Sequence, residues 1–581
     1  MQTIDTDVLV VGAGPAGLTA AALLARDGID AITVTKFSGT AHTPRAHITN
    51  QRAMEVFRDL GIEDRVRQVA LPDYCMGENV WATSIAGREL ARMKAWGTGS
   101  ERKGDYEAAS PCTMGNVGQH ELEPAILEAA LGFDADIRFD TELVELTQDE
   151  HGARAVVRHR HTGETTTINS RFVIGADGGR STVAEQLAFP FEGESGLGYA
   201  VNVWIEADLT KYREQRPGAL FFTIQPGRDF WLGAGTFVTV KPWTEFVLIV
   251  VYDPAVEQID LGEDAMRLRA RKVIGDPDVD IRIKDISQWQ LNHQVATRYR
   301  QGQAFLIGDA AHRHPPANGL GSNTSVQDAY NLAWKLSLVV RGKASDALLD
   351  TYHDERQPVG RQVIDRALDS VGIFGQIPSI FGVQAGQSDD DGQAGLEEFF
   401  SDSDEGRHRR AHLQEALAEN QYHFNAHGVE LGQRYTSHAA VTDGAPAPGH
   451  TRDPQLYYQA TTYPGAYLPH AWLVHRGQTV STLDLAGQGM FTVVAGTGGQ
   501  AWLDAAEKLG IELGIDIAAR AIGAGLDYDD VYGDWGRLRE IDDRGALLVR
   551  PDRYIAWRSA DRVEDPAAEL RRVLHQVLAT T

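Results

Sequence analysis

The sequence predicts an α/β fold: a Rossmann-like domain, an antiparallel sheet inserted into it, and a separate α/β domain at the C-terminal end. Three observations carry this reading. A short β-branched run, DVLVV (residues 7–11), leads directly into a glycine-rich turn and a helix. Two later apolar runs, RFVIGADGG (171–179) and QAFLIGDAAH (303–312), have the same look of buried parallel strands although they lie far apart in the chain. Between them, stretches such as GYAVNVWIEADL and FWLGAGTFVTV alternate apolar and polar residues, as strands of an antiparallel sheet do.

In chain order, DVLVV is the first strand, GAGPAG the turn, LTAAALLARDG a helix closed by Gly28, and DAITVT (30–35) a second strand, which together make a βαβ unit. Gly12, Gly14 and Gly17 permit a tight turn and a close backbone approach. With Pro15 and Ala16 they open a helix whose unpaired N–H groups suit a pyrophosphate. An acidic residue at the end of the second strand would normally take the ribose hydroxyls; Thr35 and Lys36 stand there instead. Residues 1–185 and 290–375 form the discontinuous Rossmann-like domain, and 186–289 the inserted sheet. The acidic, glycine-rich segment 376–411, with SDDDGQAG and SDSDEG, reads as a solvated linker in which helical pieces could sit. Residues 412–581 follow, with strands such as MFTVVAG alternating with helices such as AWLDAAEKLGI.

A length of 581 residues exceeds the roughly 250 to 300 at which one hydrophobic core stops growing, so several domains are expected. The formal charge of -26 repels nucleic acid and anionic membrane surfaces. Two cysteines, Cys75 and Cys112, form no CxxC pair, which excludes a thiolate metal site and fits the cytoplasm. The uncharged run at 8–25 lacks a basic flank and is punctuated by glycine and proline, so neither a signal peptide nor a membrane span is expected.

Three fingerprints in order, Gly12-x-Gly14-x-x-Gly17, Asp177–Gly178 in IGADGGRS and Gly308–Asp309 in LIGDAAHRHPP, make the chain resemble the single-component FAD-dependent aromatic hydroxylases of the phenol hydroxylase group. The resemblance covers nearly the whole chain; the second fingerprint departs from it, with Ala184 where Arg is frequent. It implies bound FAD, NADPH or NADH as cosubstrate, and O2 that adds at flavin carbon 4a before one oxygen passes to the ring. The implied product is a catechol, from attack ortho to the hydroxyl of a substituted phenol. It implies also that Asp177 and Gly178 lie beside the pyrophosphate and the visiting nicotinamide, that Asp309 bonds the ribityl chain, and that Arg45 and Gln119 contact the flavin. Pro316, Gly321, Ser322 and Asn323 supply a loop and a helix N-terminus against the isoalloxazine.

On the substrate side the resemblance places His47 in the pocket as the candidate base, with Pro315 nearby. Asn116 holds a position where a close relative carries an acid, and its amide takes no proton. Trp231 and Phe237 are expected in the far wall, from the inserted sheet. The C-terminal region is implied to be thioredoxin-like without the redox cysteines, and the family forms dimers or tetramers. A rival reading takes Gly496-x-Gly498-x-x-Ala501 as a second nucleotide site. Two other functions stay open: hydroxylation of another aromatic of polyketide, resorcinol or hydroxypyridine type, and a non-catalytic binding protein on the same fold. Halogenation would need a Trp-x-Trp pair, which the sequence lacks.

Overall fold

The computed structural model describes residues 2–226, 234–255, 258–384 and 386–580. β1 (Gln2–Val11), α1 (Pro15–Arg26) and β2 (Ala31–Val34) form the βαβ unit, with Val8 opposite Ala31 in parallel pairing. β3 (Ile48–Thr49) follows, then α2 (Gln51–Asp59) and α3 (Glu63–Val69), and β4 (Glu78–Ala82) leaves for the second sheet. The chain returns through β5 (Gly115–Asn116), antiparallel to β3, and α4 (Gln119–Gly132), which packs on α1. β6 (Thr165–Gly175) pairs along the whole of β1, so β1 extends well beyond DVLVV at its polar start.

The inserted sheet is built from β7 (Phe191–Glu206), β8 (Leu220–Thr223), β9 (Gly235–Lys241) and β10 (Glu245–Tyr252), then α5 (Glu263–Ile274) and β11 (Arg282–Ala296). Its strand order is His312–Arg313, β11, β7, β10, β9, β8, β4 and Glu89–Lys94. β12 (Ala304–Leu306) re-enters the first sheet parallel to β6, beside the long helices α6 (Gly321–Val340) and α7 (Asp350–Phe374).

The inserted sheet buries both faces, and this decides which side chains reach the substrate side. Val80, Phe221, Phe237 and Leu248 pack with Met266, Ala270 and Val273 of α5. Trp81 and Phe222, one position along, face the opposite way and stack at 5.1 Å among Ile48, Phe374 and Phe424. Phe237 therefore does not line the far wall: it is fully buried on the α5 side, where its burial is worth about 1.5–3 kcal/mol. Its neighbour Val238, in register with Leu220, takes the opposite face. Trp231 lies outside the described residues.

The predicted linker is largely helical. α8 (Asp389–Phe400) and α9 (Asp404–Glu419) start at Ser388 and Ser403, whose hydroxyls accept from Asp391 N–H and Gly406 N–H. The acidic runs are first turns that complement the helix dipole, and Leu396, Phe399 and Leu413 join the cluster around Phe374.

The C-terminal sheet, β13 (Phe491–Ala495), β14 (Ile517–Ala521), β15 (Ala546–Val549) and β16 (Ile555–Ser559), runs in the order β14, β13, β15, β16. The first pair is parallel and the others antiparallel, with α10 (Gln500–Leu513) and α11 (Pro566–Val577) packed together beside it. The glycine turn before α10 is filled: a Cβ at Gly498 would meet the Arg544 side chain at 2.6 Å, and Trp502 Nε1 donates to Arg544 O. The turn named in the rival nucleotide reading is thus packed against Arg544. A buried ionic cluster fastens this domain to the first: Glu355 of α7 accepts two bonds from Arg550, at 2.6 and 2.8 Å, and one each from Lys335 and Asn331 of α6, both at 2.7 Å.

Candidate active site

At the C-terminal edge of β1 only glycine fits the turn. Gly12 has φ +112°, and a Cβ there would lie 2.2 Å from the Ala176 carbonyl oxygen; one on Gly17 would lie 1.9 Å from Gly12 O. Pro15 sets the first turn of α1, Ala16 is buried behind it, and no side chain caps the helix at Gly14. Its first N–H groups and the positive end of its dipole are left open to an anion. Thr35 is buried and holds the strand end through its own backbone, while Lys36 and Arg45 are exposed near this edge. Gln119 Nε2 donates to the buried Glu123 at 2.6 Å, so the amide is spoken for on one side. Burial pushes the Glu123 carboxyl up, against the pull of Gln119.

The Asp177 carboxylate is not free. It accepts from Ser181 Oγ at 2.5 Å and from the N–H groups of Thr182 and Val183, capping a short helix, and these bonds fix its orientation. Gly178, with φ +80° and open space around it, leaves the backbone of that turn accessible.

Gly308 turns the chain at φ +60° and leaves Asp309 exposed, its carboxylate without a hydrogen-bond partner among the described residues. The turn is held from behind. Asp328 of α6 accepts from Gly308 N–H at 3.0 Å, bonds His312 Nε2 at 3.0 Å and accepts from Arg356 Nε at 2.7 Å, all with fully buried side chains. Sequence reasoning missed Asp328, though a carboxylate inside the apolar face of SVQDAYNLAW was the visible signal.

The loop after this turn carries a buried Pro315 and an exposed Pro316, and Gly321 and Ser322 open α6 with no capping side chain. The Asn323 amide donates to Ile48 O at 2.9 Å and Gly319 O at 2.6 Å and accepts from Asn50 N–H at 2.9 Å, so it fastens β3 to α6.

β3 thereby holds His47 beside β5. Its Nδ1 lies 3.1 Å from Asn116 Oδ1, and the two residues share a cavity of about 170 Å3 with Pro44, Leu71 and Val238. A carboxamide oxygen only accepts, so the imidazole proton sits on Nδ1 and Nε2 keeps its lone pair. Burial lowers the histidine, partly offset by the Asn116 bond, to about 4, so the ring is neutral near pH 7. An acceptor nitrogen in a partly apolar cavity, next to open helix ends and an unpaired carboxylate, suits the binding of a dinucleotide and the removal of a weak acid's proton. No cluster of metal-ligating side chains occurs among the described residues, and none of their helices is long and apolar enough to cross a membrane.

Comparison with known proteins gives two family matches: the FAD binding domain over residues 5–367, and the aromatic-ring hydroxylase C-terminal domain over 461–581. A 2,4-dichlorophenol 6-monooxygenase of Delftia acidovorans is 46% identical, covering 99% of this chain and 98% of the relative. A phenol 2-monooxygenase of a Pseudomonas species is 42% identical, covering 99% and 93%. The crystal structure of the flavin-dependent monooxygenase PieE in complex with FAD and substrate superposes with a TM-score of 0.95, at 46% identity and over 100% of both chains.

Proposed function

Since the chain belongs to the family of FAD-binding aromatic-ring hydroxylases, we propose that it hydroxylates a substituted phenol ortho to its hydroxyl group, giving a catechol. It is an FAD-dependent flavoprotein monooxygenase that uses NAD(P)H and O2. The observation that carries the phenol reading is the His47–Asn116 pair, with its free Nε2, in the wall of a cavity sized for one ring. A dry cavity of about 150 Å3 is known to hold benzene, which sets the scale.

FAD, when bound, supplies the acceptance of hydride from NAD(P)H and the activation of O2. Gly12, Gly14, Pro15, Ala16 and Gly17 would hold its pyrophosphate, Asp309 its ribityl hydroxyls, and the open start of α6 at Gly321 and Ser322 would stabilise negative charge on the ring system. Arg45, Gln119, Thr35, Lys36, Gly178 and Pro316 border the same cleft in this reading. His47 accepts the phenol proton at Nε2, Asn116 keeps the ring oriented, and Val238, Leu71 and Pro44 exclude water around the reacting carbon. Ionisation raises the electron density at the ortho carbon, and that makes it nucleophilic. The C-terminal domain reads as thioredoxin-like without its cysteines, and the protein as a cytoplasmic homodimer or homotetramer.

Asp309→Ala removes a charge-assisted bond worth about 1.5–3 kcal/mol, so FAD retention weakens by about 10- to 100-fold. A variant that leaves gel filtration fully loaded counts against this contact. The pH dependence follows from His47. Its native value of about 4 lies below the ordinary 6.5, so the neutral base persists as pH falls from 7, and kcat/KM for hydroxylation drops only near pH 4. An acid limb centred near 6.5 would contradict this. The direct test of the reading is NADH and NADPH oxidation with a panel of 2-substituted phenols: strong stimulation with catechol formed is expected, and no stimulation by any phenol overturns the substrate class.

A further inference from the structure

Beside the His47 cavity lies a second one, of about 300 Å3, which no step of the proposed reaction uses. Its inner end is buried and apolar, with Met54, Val66 and Met76, and the half-buried Met114 beside them. Its outer end is exposed and polar, with Arg67, Asp73 and Thr113. The two cavities share Ala70, Leu71, Pro72 and Asn116 in their walls. The partition is thus a tripeptide with no helical or strand structure, Ala70 to Pro72, between the end of α3 and the 3-10 turn at Asp73–Cys75. One backbone bond joins it to the opposite wall, Leu71 N–H to Asn116 O at 2.8 Å. At the mouth, Arg67 Nη1 donates to Thr113 Oγ1 at 2.8 Å, across the two sides of the opening.

On these grounds we infer that the second cavity is the passage by which a small apolar phenol reaches His47, with Ala70–Leu71–Pro72 as its gate and the Arg67–Thr113 bond as an outer latch. The inference rests on the phenol reading. Three unbranched, polarizable methionines line the route, and such side chains let ring substituents of differing shape slide past. An exposed hydrogen bond contributes little to stability, one backbone bond contributes about 0.5–1.5 kcal/mol, and Ala70 and Leu71 are only half-buried at the edges of the cores, so both closures open at modest cost. The gate and the base are neighbours. Asn116 bonds the partition through its backbone and His47 through its side chain, so arrival of substrate and placement of the base share one residue.

A passage changes rates and leaves the equilibrium alone, whereas a binding subsite changes affinity. The test is stopped-flow measurement of 2,4-dichlorophenol binding to the FAD-loaded enzyme, read from the flavin absorbance. Met114→Trp is expected to slow association and dissociation together by about tenfold, with Kd nearly unchanged; Asp73→Trp, at an exposed position of the mouth outside the latch, acts in the same direction. Arg67→Ala removes the latch and raises both rates. Wild-type rates in all three variants, or a changed Kd at an unchanged association rate, overturn the passage. A wild-type flavin that responds to no phenol overturns the substrate reading itself, which separates the two failures.

Discussion

His47→Ala lowers ring hydroxylation by about 10²- to 10⁴-fold, the range that a positioned general base supplies, while FAD stays bound and NAD(P)H is still oxidised. The effect is specific because the side chain bonds Asn116 and lines the cavity, whose walls include none of the three fingerprints. Asn116 Oδ1 fixes the proton on Nδ1, and burial keeps the ring neutral, so Nε2 presents its lone pair to the phenol hydroxyl and takes the proton as charge moves from the aromatic ring in the transition state. Without it the bound phenol keeps its proton, the ortho carbon stays a poor nucleophile, and reducing equivalents leave as hydrogen peroxide. Catechol formed per NAD(P)H consumed reads this directly; an unchanged ratio contradicts the assignment.

Glu355→Ala carries the largest expected effect on stability. The carboxylate is fully buried between Arg550, Lys335 and Asn331, and its removal leaves two buried cations short of a partner, a change that costs about 3–5 kcal/mol. The damage falls at the contact between α6, α7 and the end of β15, so the C-terminal domain loosens first, measured as earlier proteolysis of residues beyond 460 with the first domain still intact. The same group gives an acid sensitivity. Burial alone pushes Glu355 up, but Arg550 and Lys335 outweigh it and hold the carboxyl far below its usual value. Its contribution is complete above the unfolded value of about 4.3 and is lost as pH falls below that. A variant as protease-resistant as the wild type would show that the cluster is not the fastening.

The parts of this site that could be read from the sequence are those in which one short segment decides the geometry. Gly17 was legible because a Cβ there strikes Gly12 O within the same turn, Gly12 because its φ of +112° suits glycine alone, although the atom a Cβ would strike belongs to Ala176, and Asp309 because a carboxylate ending an apolar strand needs a reason to be there. What the sequence left open depends mostly on partners far along the chain. Asn323 looks free at a helix start, yet its amide belongs to Ile48 and Asn50, more than 270 positions earlier. Phe237 and Val238 are both apolar, so the run FVTV does not say which one faces the cavity; the pairing with Leu220 and the packing of α5 decide it. Asp177 shows a local partner that the sequence did not announce: its carboxylate caps the helix at Thr182 and Val183. The acidic stretch after residue 376 shows composition misleading in another way: charges that look like a solvated linker are the first turns of α8 and α9.

One measurement bears on the central claim more directly than any variant. The purified enzyme, loaded with FAD and given NAD(P)H and 2,4-dichlorophenol under 18O2, is expected to yield a catechol carrying a single labelled oxygen, located at the carbon ortho to the original hydroxyl. Rapid NAD(P)H consumption with only hydrogen peroxide formed, or a product without the label, would contradict the assignment of this site as an aromatic monooxygenase acting on phenols.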